Sequence, residues 1–146
     1  MVRGRPRPFV DTNVLFSGLY SSLGPSASVL RQHAEGRIAI VISSQVLEEL
    51  VGAIRAKKPD LLPLLRVFLT QAPPELWPDP TPQEIERARE CINPADAPIL
   101  AAALRSEADC IVTGNTRHFT PNVARRAGVA IFTPAEYEEQ LARWQN

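Results

Sequence analysis

Arg37-Ile38-Ala39-Ile40-Val41-Ile42 is a nearly continuous run of apolar, mostly β-branched residues. A strand with one wet face would alternate apolar with polar residues. A run without alternation is buried on both faces, as in a parallel sheet covered by helices. On either side the pattern changes period. Pro25-Ser26 opens a helix that stops at Gly36, and Ser43 or Ser44 caps the next, which continues to about Lys57. Arg7 to Asp11, Cys110 to Thr113 and Val129 to Phe132 give three more apolar runs between helical segments. Strands alternating with helices predict an α/β/α architecture with four or five strands, in one domain over residues 1–146.

The remaining helices announce their starts. Thr81-Pro82-Gln83-Glu84 and Thr133-Pro134-Ala135-Glu136 each combine a Thr cap, a Pro at the first helical position and a Glu at the third. Asn93-Pro94-Ala95-Asp96 has the same shape with other residues, and Thr120-Pro121 opens a short helix that ends at Gly128. Asp60 to Thr70 reads as a further helix with Pro63 in its first turn. Five of the fourteen prolines fall between Pro73 and Pro82, around Trp77, so this stretch is expected to be a stiff surface connection.

Composition narrows the class without deciding the function. Apolar content of 45% without any long apolar run argues against a membrane span. The N-terminal Met1 to Pro8 is basic but has no apolar stretch of the kind a secretory signal needs. Cys91 and Cys110 have no metal-like spacing and read as reduced thiols, which implies a cytoplasmic protein. Sixteen Lys and Arg balance sixteen Asp and Glu, so no bulk field favours nucleic acid. The positive charge is nonetheless bunched, at Arg3, Arg5 and Arg7, at Arg55, Lys57 and Lys58, and at Arg117, Arg125 and Arg126. Such groups can follow a phosphate backbone, and they also occur on ordinary solvated surfaces.

Ligands of open parallel sheets bind beyond the carboxyl ends of the strands, where the strand order reverses. The candidate strands end in polar residues, at Asp11-Thr12-Asn13, Ser43-Ser44, Thr113-Gly114-Asn115 and Thr133. Asp11 is the most conspicuous, because Val10 and Val14 enclose it and a lone buried carboxylate costs several kcal/mol. A divalent cation is the simplest compensation. Asp96 lies within about 10° of the mean direction of Ile99, Leu100, Ala103 and Leu104 on a helical wheel. A charge is thus placed on a buried stripe, unless Asp96 merely caps its helix. Glu48 and Glu49 each lie about 130° from their helix's apolar stripe, on opposite sides, so periodicity does not choose between them. Gly114 suggests a sharp turn, with positive φ, that aims Asn115 into the crevice. His118 either meets phosphate or packs beside Phe119.

Four blocks, Arg7 to Leu15, Ile42 to Leu50, Asn93 to Leu104 and Ala108 to Asn115, resemble the PIN domain family, in its prokaryotic branch of VapC-like toxins and their toxin–antitoxin relatives. The resemblance implies a PIN-like fold with a short, mostly parallel sheet. It implies a ribonuclease that binds Mg²⁺ or Mn²⁺ through clustered acids. Carried over by position, Asp11, Glu49 and Asp96 match three family acids, which resolves the tie in favour of Glu49. Asn115 takes the place of a fourth, and Asn93 stands where many relatives have an additional Asp. Two amides for two carboxylates favour one metal over two and imply weakened activity.

On this reading Asp11 and Asp96 hold the metal directly and Glu49 directly or through water, as suits hard cations that prefer oxygen. Asn115 orients water or phosphate, Thr12 and Asn13 steady the carboxylates or approach substrate, and Arg117 and His118 lie beside the RNA backbone. The resemblance further implies an antitoxin partner and a homodimer. A degenerate PIN domain that binds RNA or protein without cleavage is the competing reading. A dehalogenase-type phosphatase would need an Asp where Asn13 stands, and a nucleotide-binding domain would need a glycine-rich loop after the first strand.

Overall fold

In the computed structural model, which describes residues 4–144, five three-residue strands form one sheet. They are β1 (Pro8–Val10), β2 (Val41–Ser43), β3 (Glu75–Trp77), β4 (Cys110–Val112) and β5 (Ala130–Phe132), in the order β3-β2-β1-β4-β5. Every described pairing is parallel, so no antiparallel edge is present among the described residues. β1, β2 and β4 are buried at each position, whereas the edge strands β3 and β5 are partly exposed. The central strands therefore take the unbroken apolar runs, as burial on both faces requires.

The chain moves outward from β1 through β2 to β3, then returns across the sheet to β4 and β5. Right-handed crossovers place the helices of the two halves on opposite faces. On one face lie α1 (Thr12–Tyr20), α2 (Pro25–Ala34), α3 (Ser44–Lys57) and α4 (Leu62–Gln71), joined by α8 (Pro134–Trp144) against α2. On the other lie α5 (Pro82–Ala88), α6 (Ala97–Arg105) and α7 (Pro121–Ala127). Three layers result. The order reverses between β1 and β4, so the segments that leave these two strands flank the switch point.

Local chemistry fixes most helix ends. Thr81 and Glu84 form a reciprocal capping box, and Thr133 and Glu136 repeat it at the start of α8. Ser43 caps α3 by accepting from the Val46 N–H, and Gly128 closes α7 with φ 72°. α1 approaches α2 so closely that a Cβ on Gly18 would lie 2.7 Å from Leu30 Cδ1 and 2.8 Å from the Ser26 carbonyl oxygen. That contact, with buried Val14 and Leu15 beneath, clamps the turn carrying Thr12 and Asn13.

Several expectations need correction. The proline-rich stretch is not only a connection, because Glu75–Trp77 pairs with Val41–Ser43 as an edge strand. Flanking prolines are compatible with an edge, where one side of the ladder is unpaired. The other strands are shorter than their apolar runs, since Arg37 to Ile40 precede β2 and Val129 precedes β5. A 3-10 turn at Pro59–Leu61 precedes α4. α1 was not marked by the apolar pattern, although Asp11 is its cap. Leu104 was assigned to a buried stripe and is exposed. Arg3 lies outside the described residues.

Candidate active site

Asp11 follows β1 and caps α1, which turns its carboxylate back over the end of the sheet. It is only 8% exposed. Its Oδ1 accepts from the Thr12 N–H at 2.8 Å, and its Oδ2 accepts from Asn13 Nδ2 at 3.1 Å and Thr113 Oγ1 at 2.8 Å. Burial raises the Asp11 pKa above its ordinary value; the bonds from Thr113, Thr12 and Asn13 oppose the rise, and the nearby charge of Asp96 adds to it. Burial alone thus does not oblige a cation, as the sequence suggested, because neutral donors already satisfy both oxygens. Among the described residues, no cationic side chain forms an ion pair with Asp11.

The segment after β4 completes this corner. Thr113 Oγ1 donates to Asp11 and accepts from the Asn115 N–H at 3.0 Å. The Gly114 N–H donates to Asn13 Oδ1 at 2.8 Å. Gly114 does not take positive φ, contrary to expectation. It is needed for closeness instead, since a Cβ there would sit 3.1 Å from Asn13 Oδ1. The two segments that flank the switch point are stitched together side chain to backbone.

Asp96 occupies the cap position of α6 but makes no side-chain cap. Its Oδ2 lies 2.6 Å from Asn93 Nδ2 and 2.8 Å from His118 Nδ1, while Oδ1 accepts from Asn115 Nδ2 at 3.3 Å. Asn93 Oδ1 accepts from the Asp96 N–H at 3.2 Å, so the amide grips both ends of the residue. His118 is therefore turned onto an acid rather than packed against Phe119. Glu49 stands on α3, exposed, with Oε1 3.4 Å from Thr12 Oγ1.

These groups border one crevice of about 400 Å³, whose lining includes Asp11, Thr12, Asn13, Glu49, Asp96 and Asn115. Glu48 is not part of it. Arg117 and His118 line an adjoining cavity instead. Residues the sequence did not single out also belong here. Thr113 was noted only as a polar strand end, and Gln45 and Lys57 only as part of α3 or of a basic cluster. Gln45, Glu49, Ala53 and Lys57 all line the crevice at intervals of four, a single face of α3. That spacing is visible in the sequence and separates Glu49 from Glu48.

Among the described residues, no three His, Cys, Asp or Glu side chains stand close enough together to hold one metal ion. The donors fit a hard dication in kind, being carboxylates and amide oxygens at one rim. They do not enclose one as they stand, because Asn93, Asn115 and His118 engage Asp96 and Glu49 remains out in solvent. Among the described residues, the Glu49 carboxylate makes one hydrogen bond, the 3.4 Å contact from Thr12.

A family model described as PIN domain matches residues 7–117. No curated protein matches the chain. The fold is similar to that of VapBC2 from Rickettsia felis, solved bound to a DNA fragment from its promoter, with 21% identity and a TM-score of 0.60 over 86% of this chain and 96% of that one. It is also similar to PAE2754 from Pyrobaculum aerophilum, with 20% identity and a TM-score of 0.57 over 95% of this chain and 88% of that one. Likeness at this level of identity speaks to the fold.

Proposed function

The chain belongs to the PIN domain family, and from that premise we propose that it is a Mg²⁺- or Mn²⁺-dependent endoribonuclease. The observation that carries the reading is the convergence of Asp11, Glu49, Asp96 and Asn115, from four separate segments, on one crevice at the switch point of the sheet. Asp11 and Asp96 would hold the cation and Glu49 would swing in as the third acid. When bound, the cation supplies positive charge against the phosphodiester and makes an attacking water more acidic. Asn115, tethered through its own N–H to Thr113, would orient water or a phosphate oxygen. Thr12 and Asn13 steady the carboxylates on either side. Cleavage of a labelled single-stranded RNA with Mn²⁺, and none in excess chelator, is the expected result. Equal cleavage under both conditions would remove the metal from the mechanism.

The toxin role extends this reading. VapBC2, one of the similar structures, is by name a two-component assembly caught on its promoter DNA. By analogy, a small antitoxin would cover the crevice of this chain, and two copies would pair. Co-expression with the product of an adjacent small gene should relieve growth arrest if arrest occurs.

One observation favours a second reading, a degenerate domain that binds without cutting. Asp96 is engaged by two amides, Asn93 and Asn115, and by His118. Replacement of Asn93 by Asp should raise cleavage if the site is merely weakened and leave a non-cutting protein unchanged.

A further inference from the structure

We propose that an arginine-lined groove over α5, α6 and α7 binds the backbone of single-stranded RNA leading away from the acidic crevice. Two cavities compose it. The first, of about 370 Å³, is lined by Arg89, Arg117 and Arg126 among others, and begins at Asn93 and His118, the residues that contact Asp96. The second, of about 330 Å³, is lined by Arg87, Arg105 and Arg126. Arg126 and Cys91 belong to both, so the two join end to end.

Charge makes this a binding surface rather than a solvated face. The chain has no net charge, yet the groove gathers five arginines against Glu84 and Glu90. Arg105 is committed to Glu84 and the Asp79 carbonyl, and Arg89 to Glu86. Arg87, Arg117 and Arg126 have no carboxylate partner among the described residues. Arg117 lines the cavity next to the acidic crevice, Arg126 lines both cavities and Arg87 the farther one, and their guanidinium groups suit phosphate oxygens. Glu84 is also occupied by its cap, which leaves it little reach toward a ligand.

The floor argues for an unpaired strand. Between the arginines the accessible floor is apolar at Leu104, 38% exposed, and at partly exposed Ala127, with Ala88 and Ala101 buried beneath them. A splayed base can lay its face on such a floor while its phosphate meets an arginine. A duplex stacks its base faces inside and would present phosphates, 2′-hydroxyls and base edges but no face to this floor. Among the described residues no Phe, Tyr or Trp lines either cavity and the imidazole of His118 is held on Asp96, so the contact reads backbone and shape rather than sequence.

The assignment of one end of the strand to Asp96 rests on the nuclease reading; the groove itself does not. The test is fluorescence anisotropy of the full chain with a labelled single-stranded RNA of about 12 nucleotides, in chelator so that nothing is cut. The Arg87→Gln, Arg126→Gln double variant should bind about tenfold more weakly at low salt. Its slope of log affinity against log salt should be shallower by about 1.4, two phosphates at about 0.7 each. Arg66→Gln, an exposed arginine on α4, should change neither. An unmoved slope in the double variant, an equal loss in Arg66→Gln, or tighter binding of duplex than of single strand overturns the proposal. If cleavage is absent but the slope changes as stated, the nuclease reading falls and the groove stands. Intact cleavage with an unmoved slope has the opposite meaning.

Discussion

The two ends of the sheet handle charge in opposite ways. At the amino end, Arg7 precedes β1 and reaches Glu75 with two nitrogens, at 3.0 and 2.5 Å. It also donates to the carbonyls of Ser106 and Glu107, and its own N–H meets Asp109. Here Glu75 has a cation, Asp109 takes a backbone N–H, and each guanidinium nitrogen of Arg7 has an acceptor. The Arg7 bond accordingly pulls the Glu75 pKa down. At the carboxyl end, Asp11 is satisfied only by neutral donors, and burial pushes its pKa up. A completed charge pair holds a fold together. A buried acid without a cationic partner costs stability and leaves room for a ligand. The contrast supports the proposal that chemistry belongs to the carboxyl end and structure to the amino end.

The contrast is broken most severely by removing the acid. Asp11→Asn keeps the helix cap and the size of the side chain, so it should retain the fold while Mn²⁺-dependent RNA cleavage falls by about a hundredfold or more. Wild-type rates in this variant would take Asp11 out of the site. Arg7→Met should do the reverse. It strands Glu75 and the carbonyls of Ser106 and Glu107, at about 2 kcal/mol after allowing for partial exposure. The expected fall in melting temperature is roughly 4–8 °C, with the response to Mn²⁺ unchanged. No fall would mean that the clamp is ornamental.

A smaller effect sharpens the comparison within the crevice. Thr113→Val removes one donor from Asp11 and the acceptor for the Asn115 N–H, costing about 1 kcal/mol in urea denaturation. An unchanged midpoint would show that water replaces the hydroxyl freely. The smallest effect is in pH. Glu75, with a folded pKa below its ordinary 4.5, contributes stability above that value that is lost as pH falls through the folded one. Asp11, with a folded pKa above its ordinary 3.8, contributes stability below that value that is lost as pH rises through the folded one. In metal-free protein, Glu75→Gln should flatten the acid side of the stability profile and Asp11→Asn the side above it. Identical profiles for both variants would erase the distinction between the two ends.

Much of the fold was legible because its signals are local. Thr81, Thr133, Ser43 and Gly128 fix helix ends by bonds to their immediate neighbours, and the unbroken apolar runs mark the central strands. β3 was not legible, since three residues among prolines acquire strand geometry only by pairing with β2. The same division holds at the site. Asp11 announces itself by charge between apolar neighbours. The contact of Asn93 on Asp96 is local, three residues away, but those of Asn115 and His118 depend on where the segment after β4 comes back, which no periodicity encodes. Glu49 lies between these cases, because its face is readable from Gln45, Ala53 and Lys57 once a crevice is placed beside it.

The central claim is that Asp11, Glu49 and Asp96 hold one divalent ion, and calorimetric titration with Mn²⁺ tests it directly. One site is expected in the wild type, lost in Asp11→Asn and Asp96→Asn, weakened in Glu49→Gln and unaltered in Glu48→Gln. No heat of binding in the wild type at millimolar Mn²⁺, or equal affinity in Asp11→Asn, would contradict it.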